Sequence, residues 1–130
     1  MLTLAFSRRR LYLALLVAWV VLTFFLTSVP NPRIPLPFRF ADKAAHLGFY
    51  AVMGLLCAFW RRECGVPAGR AILEALLFTA MAGAVDEVHQ YWIPGRSAEF
   101  FDWVMDALGG GIGAWFSVLL PLVFPVLLTE

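Results

Sequence analysis

The chain has 130 residues, of which 62% are hydrophobic and 15% are charged, whereas a soluble domain is nearer half apolar and about a quarter charged. A body of this size cannot bury so much apolar surface, so lipid is the expected solvent for most of it. The formal net charge of +1 gives no reason to expect a nucleic-acid partner.

Four apolar segments reach or approach the length that a membrane-spanning helix needs, which is about 20 residues. The first contains no charged side chain, the second includes His46, the third carries three acids, and the fourth has Asp106 near its start. The predicted spans are residues 11–28, 44–60, 71–89 and 103–128. The sequence therefore predicts an all-α fold, an integral membrane four-helix bundle that forms a single domain over residues 1–130.

Proline and glycine mark the connections between these segments. Four prolines within residues 30–37 forbid a regular helix there, and we expect an extended or interfacial strap. Residues 61–70 predict a basic hairpin, and Pro-Gly at 94–95 predicts a turn. Pro121 and Pro125 predict a kink in the last helix or an early end to its regular part.

Positive charge sets the expected orientation. An arginine run followed by apolar residues resembles the start of a signal peptide, but the apolar run is long and residues 27–30 make a poor cleavage site, which favours an uncleaved span. Six basic residues lie on one side and four on the other, so both termini are predicted to be cytoplasmic. The inner group is Arg8, Arg9, Arg10, Arg61, Arg62 and Arg70; the outer group is Arg33, Arg39, Lys43 and Arg96.

This orientation brings polar side chains from three stretches of the chain to the outer membrane face. Asp86 follows Ala71 by fifteen residues, a helical rise of about 23 Å, so the third helix ends where the second and fourth begin. The candidate catalytic residues are His46, Asp86 and Glu87. The candidate binding residues are Asp42, Lys43, Gln90, Arg96, Asp102 and Asp106.

Helical spacing sharpens the prediction for the fourth helix. Asp102, Asp106, Gly109 and Gly113 form one stripe if the helix begins by Asp102. The two glycines have the small-x-x-x-small spacing that lets helix backbones approach closely. We therefore expect the two acids to face a neighbouring helix and not lipid.

Structural roles are the alternative for several of these residues. Asp42 and His46 are four residues apart and share a helical face. However, Asp42 also suits a helix N-cap, and His46 also suits a core position in which its ring nitrogens are hydrogen-bonded. Lys43 and Glu99 also suit solvated surface positions.

The adjacent acids Asp86 and Glu87 need a neutralising partner. A charge at the bilayer centre costs about 2.5–3.5 kcal/mol on insertion scales, and neighbouring carboxylates make each other harder to ionise. Arg96 is the predicted partner, because it lies six residues beyond Gln90, after a turn. A shared proton, a divalent metal ion held by Asp, Glu and His, or interhelical hydrogen bonding alone are the alternatives, and no cofactor is indicated.

Three short blocks in this region resemble those of VanZ-like membrane proteins. They are DKAAH at 42–46, DEVHQ at 86–90 and IPGRS at 93–97. The family opens one helix with Asp-Lys-x-x-His, closes the next with Asp-Glu-x-x-Gln, and continues with a Pro-Gly-Arg turn and an acidic stretch. The resemblance extends over residues 42–115, with the first span as the family's leading helix.

Two positions depart from the family pattern. Glu99 stands where the family commonly has Asp, and Asp106 stands where it commonly has Asn, while Asp102 fits. An acid in place of an amide adds a negative charge to the polar network.

The resemblance implies a compartment and a phenotype class more firmly than a reaction. The family is named for an accessory protein linked to resistance against the glycopeptide antibiotic teicoplanin. It implies a multi-pass protein of the bacterial cytoplasmic (inner) membrane and cell envelope, with the lipid bilayer and a lipid or lipid-linked envelope molecule as partners.

Three functions are compatible with the sequence. The first is binding or modifying an amphipathic envelope component, with Arg96 on a phosphate or carboxylate. The second is an intramembrane enzyme, either acid/base or metal-dependent, with Asp86 or Glu87 as base and His46 as acid or metal ligand. The third is a small proton- or cation-coupled transporter, ranked last because four short helices show no inverted repeat.

Overall fold

A computed structural model of the chain describes residues 7–30 and 40–128. Those residues form four helices and no strand, which confirms the predicted all-α four-helix fold. The helices are α1 (Arg8–Thr27), α2 (Ala41–Glu63), α3 (Ala68–Gln90) and α4 (Phe100–Val123), followed by a short 3-10 turn at Pro125–Leu127. The predicted strap falls mainly on residues outside the described ranges and stays a prediction.

Apolar side chains cover the outside of the bundle. Helices α1, α2 and α4 are long and apolar enough to cross a membrane. Helix α3 carries three acids and is not among them, yet its outward row is also apolar, with Leu77 and Met81 exposing 55% and 70% of their surface. Such a continuous apolar exterior suits lipid and not water, and the chain is an integral membrane bundle.

The backbones of α2 and α4 are in direct contact. A Cβ atom added at Gly113 would lie 1.8 Å from the carbonyl oxygen of Ala51, and one at Gly109 would lie 2.3 Å from that of Leu47. Only glycine leaves room for this approach. The predicted small-residue stripe therefore packs against α2. Helices α2 and α4 are in more extensive contact than any other pair of the described helices.

Helix α1 packs mainly on α2 and is tied to the bundle by side-chain hydrogen bonds. Trp19 Nε1 donates to the carbonyl of Phe49 at 2.8 Å, and the Tyr12 hydroxyl donates to the carbonyl of Leu127 at 2.5 Å. These bonds fix the height and rotation of an otherwise apolar helix.

The start of α2 corrects one expectation. The N-cap residue is Phe40, without a side-chain cap bond, and Asp42 lies in the first helical turn. Asp42 is therefore not the cap, because the helix begins one residue before it. Its carboxylate instead lies near the positive end of the helix dipole, which favours an anion there.

Opposite charges are paired at the far end of the bundle. Glu74 accepts hydrogen bonds from Arg61 Nε at 2.5 Å and from Arg70 Nε at 2.9 Å. Arg62 donates to the carbonyl of Ser117. This end also holds the start of α1, so the arginines counted for the inner side lie together.

Candidate functional site

The ends of all four helices bring the candidate residues to one end of the bundle. Helices α1 and α3 end there, and α2 and α4 begin there. Most of the acidic and amide side chains are buried. The buried set is Asp86 and Asp106 (each 0% exposed), Gln90 (3%), Asp102 (4%) and Glu87 (7%).

His46 lies between two acids of α4. Its Nδ1 is 2.8 Å from Asp106 Oδ1, and its Nε2 is 3.7 Å from Asp102 Oδ2. Gly83 of α3 makes room for the first of these acids, because a Cβ there would lie 2.8 Å from Asp106 Oδ2. A buried carboxylate at one ring nitrogen fixes the orientation of the imidazole.

Lys43 joins α2 to the start of α4. Its Nζ is 2.6 Å from Asp102 Oδ1 and 2.8 Å from Glu99 Oε2. Lys43 is therefore not a solvated surface charge, whereas the Glu99 side chain is 50% exposed, in line with the surface position predicted for it. The carboxylate of Asp102 is almost fully buried, and such a group requires a counter-charge.

Asp86 and Glu87 face different neighbours, because successive helical residues point about 100° apart. Asp86 Oδ1 accepts a hydrogen bond from the Thr27 hydroxyl of α1 at 2.6 Å. Glu87 Oε2 accepts one from the backbone N–H of Glu99 at 3.0 Å, on the side of α4. The two acids thus hold together opposite sides of the site.

Arg96 does not neutralise these acids. Its Nε donates to the carbonyl of Val29 at 3.2 Å, and within the described residues it forms no salt bridge. The predicted pairing with Asp86 or Glu87 is therefore wrong. Both acids are buried beneath the helix ends, whereas Arg96 lies on the loop above the end of α1.

Two cavities share the polar mouth formed by Asp42, His46 and Arg96. The first, here called the α1–α2 cavity, has a volume of about 150 Å³. The second, the loop cavity, has a volume of about 240 Å³ and reaches Gln90 and Asp102. The α1–α2 cavity is lined by Thr23, Leu26, Thr27, Asp42, Ala45, His46, Phe49, Tyr50 and Arg96.

Several buried polar atoms at this end lack a hydrogen-bond partner among the described residues. Native proteins satisfy nearly all such atoms, so a cluster of exceptions indicates a place where ions, protons or small molecules bind. The atoms are Tyr50 Oη, Asp86 Oδ2, Glu87 Oε1, His89 Nδ1, Gln90 Nε2 and Asp106 Oδ2.

Groups with metal-ligating side chains also gather here. Asp42, His46 and Asp102 each offer one ligand atom within 4.8 Å of the others, and so do His46, Glu87 and Asp106. Both groups contain His46, which is thus the centre of the cluster.

Sequence reasoning missed Thr27 as a site residue. It lies at the end of an uncharged apolar segment whose sequence does not indicate which face meets the rest of the bundle. Only the packing of α1 shows that its hydroxyl reaches Asp86.

The comparison with known families agrees with this arrangement. The VanZ/LLP1 family model matches residues 11–121. The chain belongs to the VanZ/LLP1 family. Neither the curated proteins nor the solved structures give a match. In this VanZ-like membrane protein the block at 42–46 begins α2, the block at 86–90 closes α3, and the Pro-Gly-Arg turn leads toward α4.

Proposed function

We propose that this VanZ-like protein binds the anionic head of an amphipathic envelope molecule at the outer face of the bacterial cytoplasmic membrane. The observation that carries the proposal is the position of Arg96. Its side chain lines both cavities, and within the described part of the chain only its Nε makes a hydrogen bond. The remaining guanidinium N–H groups have no acceptor among residues 7–30 and 40–128, and we assign them to a ligand.

Arg96 is the group at this mouth that suits phosphate or carboxylate. A guanidinium presents N–H donors in a planar fork that matches either group bidentately. His46 lines the same cavities and is held in place by Asp106. Together these side chains present hydrogen-bonding groups to one side of a bound head.

The walls of the α1–α2 cavity suit a molecule that is apolar next to its head. Leu26 and Phe49 line it beside the polar groups. Its volume of about 150 Å³ equals roughly five water molecules in the liquid. That space accepts a headgroup and not a whole lipid, so the tail would lie along the apolar exterior of the helices.

Cavity lining favours binding over catalysis by the acids of α3. Of the three candidate catalytic residues, only His46 lines the α1–α2 cavity. Glu87 lines a separate depression beside Trp103. The His46–Asp106 pair supports a second candidate function, acid/base catalysis by an oriented histidine on a lipid-linked substrate.

Arg96→Gln is expected to lower the amount of co-purified anionic amphipath by about tenfold or more, because charge-assisted hydrogen bonds contribute about 1.5–3 kcal/mol. The measurement is mass spectrometry of lipids bound to protein purified in mild detergent. Arg70→Gln is the matched control, since Arg70 is an exposed arginine at the other end of the bundle. Equal lipid recovery from wild type and Arg96→Gln would contradict the proposal.

Lipid profiles of cells with and without the protein separate the two candidate functions. Binding without chemistry leaves the lipid species unchanged and alters sensitivity to an envelope-directed antibiotic such as teicoplanin. A species that is converted in wild-type cells and accumulates with His46→Gln would support catalysis instead.

The proposed orientation predicts where reporter fusions are active. A cytoplasm-active reporter is expected to work when fused after Glu130 or within residues 64–67, and a periplasm-active reporter when inserted within residues 93–97. The six basic residues of the inner side supply the reason. The reverse pattern would place the polar cluster in the cytoplasm and remove its access to outer envelope molecules.

A further inference from the structure

We infer that His46, Glu87 and Asp106 form a binding site for one divalent cation between α2, α3 and α4. Each helix supplies one ligand, and the ligand atoms lie within 4.8 Å of one another. Imidazole with two carboxylates suits cations such as Mn²⁺ or Zn²⁺. The site shares His46 with the proposed headgroup binding but uses none of the contacts of Arg96, so metal binding and headgroup binding can be tested separately.

The spacing of the groups is close to that of a coordination shell. His46 Nδ1 and Asp106 Oδ1 are 2.8 Å apart. Two ligands that each lie about 2.0–2.2 Å from the same ion are separated by roughly 3 Å. A small movement of Glu87 toward this pair would complete three protein ligands.

Two buried carboxylate oxygens give the independent reason to place a ligand here. Glu87 Oε1 and Asp106 Oδ2 have no hydrogen-bond partner among the described residues, and these side chains are 93% and 100% buried. A buried acceptor without a donor is costly. A cation bound by Glu87 Oε1 and by both oxygens of the Asp106 carboxylate removes that cost.

Charge balance favours a dication over a nearby lysine or arginine. Lys43 is engaged by Asp102 and Glu99, and no lysine or arginine in the described ranges pairs with Glu87 or Asp106. Two carboxylates and a neutral imidazole around a dication sum to zero charge, which is the state least penalised beneath the headgroups.

The outer group of Asp42, His46 and Asp102 is the weaker candidate. Asp102 already accepts the Lys43 ammonium at 2.6 Å, and the Asp42 side chain is 45% exposed. The inner group contains Asp106, whose side chain is fully buried.

Direct titration with metal tests the site. Wild-type protein in detergent micelles is titrated with Mn²⁺, and free Mn²⁺ is followed by electron paramagnetic resonance. We expect one bound ion per chain, and affinity lowered about tenfold or more in Asp106→Asn and in Glu87→Gln. Glu74→Gln, an acid near the opposite end of α3, is expected to bind as wild type does.

A second measurement keeps the test valid if a variant folds poorly. Mn²⁺ is expected to raise the thermal unfolding midpoint of wild type but not that of Asp106→Asn. X-ray absorption at the zinc edge, measured on wild-type protein loaded with Zn²⁺, should show imidazole among the ligands of the ion. Absence of a bound ion in wild type, a shell without imidazole, or equal affinity in Asp106→Asn would overturn the site and leave the headgroup proposal untouched.

Discussion

Gly113→Ala is expected to lower the free energy of unfolding by about 3 kcal/mol or more, at or beyond the upper end of ordinary overpacking effects. The added Cβ would lie 1.8 Å from the carbonyl oxygen of Ala51. That neighbour is backbone within a helix, so the clash is relieved only when α2 and α4 move apart. Because His46 and Asp106 are carried by these two helices, their 2.8 Å contact would lengthen as well.

The measurement is reversible unfolding in mixed micelles, followed by circular dichroism. Gly48→Ala on α2 is the matched control, since a Cβ there meets nothing within 4 Å. Alanine is the better helix former by about 1 kcal/mol, so this control should be neutral or stabilising. Equal stability of Gly113→Ala and wild type would mean that the helices do not pack backbone to backbone.

The close approach of α4 to a neighbouring helix follows from local sequence rules, whereas the structure identifies that helix as α2. Residues four apart on a helix share a face whatever the rest of the chain does. The acids and glycines of α4 therefore had to form one stripe, and the structure buries Asp102, Asp106, Gly109 and Gly113 together. The convergence of helix ends follows in the same way from the lengths of the apolar segments.

The partners of the basic side chains did not follow from the sequence. Lys43 and Arg96 both lie at helix or loop ends, where a long flexible side chain reaches several acids. The path of the loop decided the outcome: it places Glu99 beside Lys43 and leaves Arg96 over the end of α1. The short sequence separation favoured a pairing of Arg96 with the acids of α3. Sequence separation alone carries no information about the path of the loop.

The face of α1 that contacts the other helices was also not predictable from the sequence. Its segment is apolar on every face, so no periodic pattern shows which side meets the bundle. Trp19 and Thr27 fix its rotation through hydrogen bonds to α2 and α3. A single polar atom in an apolar helix is informative only once its acceptor is known.

Lys43→Met is expected to destabilise the protein by about 2–4 kcal/mol, because it leaves the buried Asp102 carboxylate without its counter-charge. The side chain of Asp102 is 6% exposed, and the Lys43 ammonium is 2.6 Å from it. Methionine keeps most of the length and apolar stem of lysine, so the loss reports the charge. Arg70→Met at the other end, where the arginine is 71% exposed, should cost less than about 1 kcal/mol.

A double-mutant cycle with Asp102→Asn isolates the pair. If Lys43 stabilises the bundle by compensating this carboxylate, Lys43→Met should cost clearly less in the Asp102→Asn background, with a coupling energy of about 1–3 kcal/mol. Lys43→Arg should retain most of the stability, since the charge is kept. Additive effects of Lys43→Met and Asp102→Asn would instead mean that the ammonium acts through Glu99 or through solvent, and not by compensating the Asp102 carboxylate.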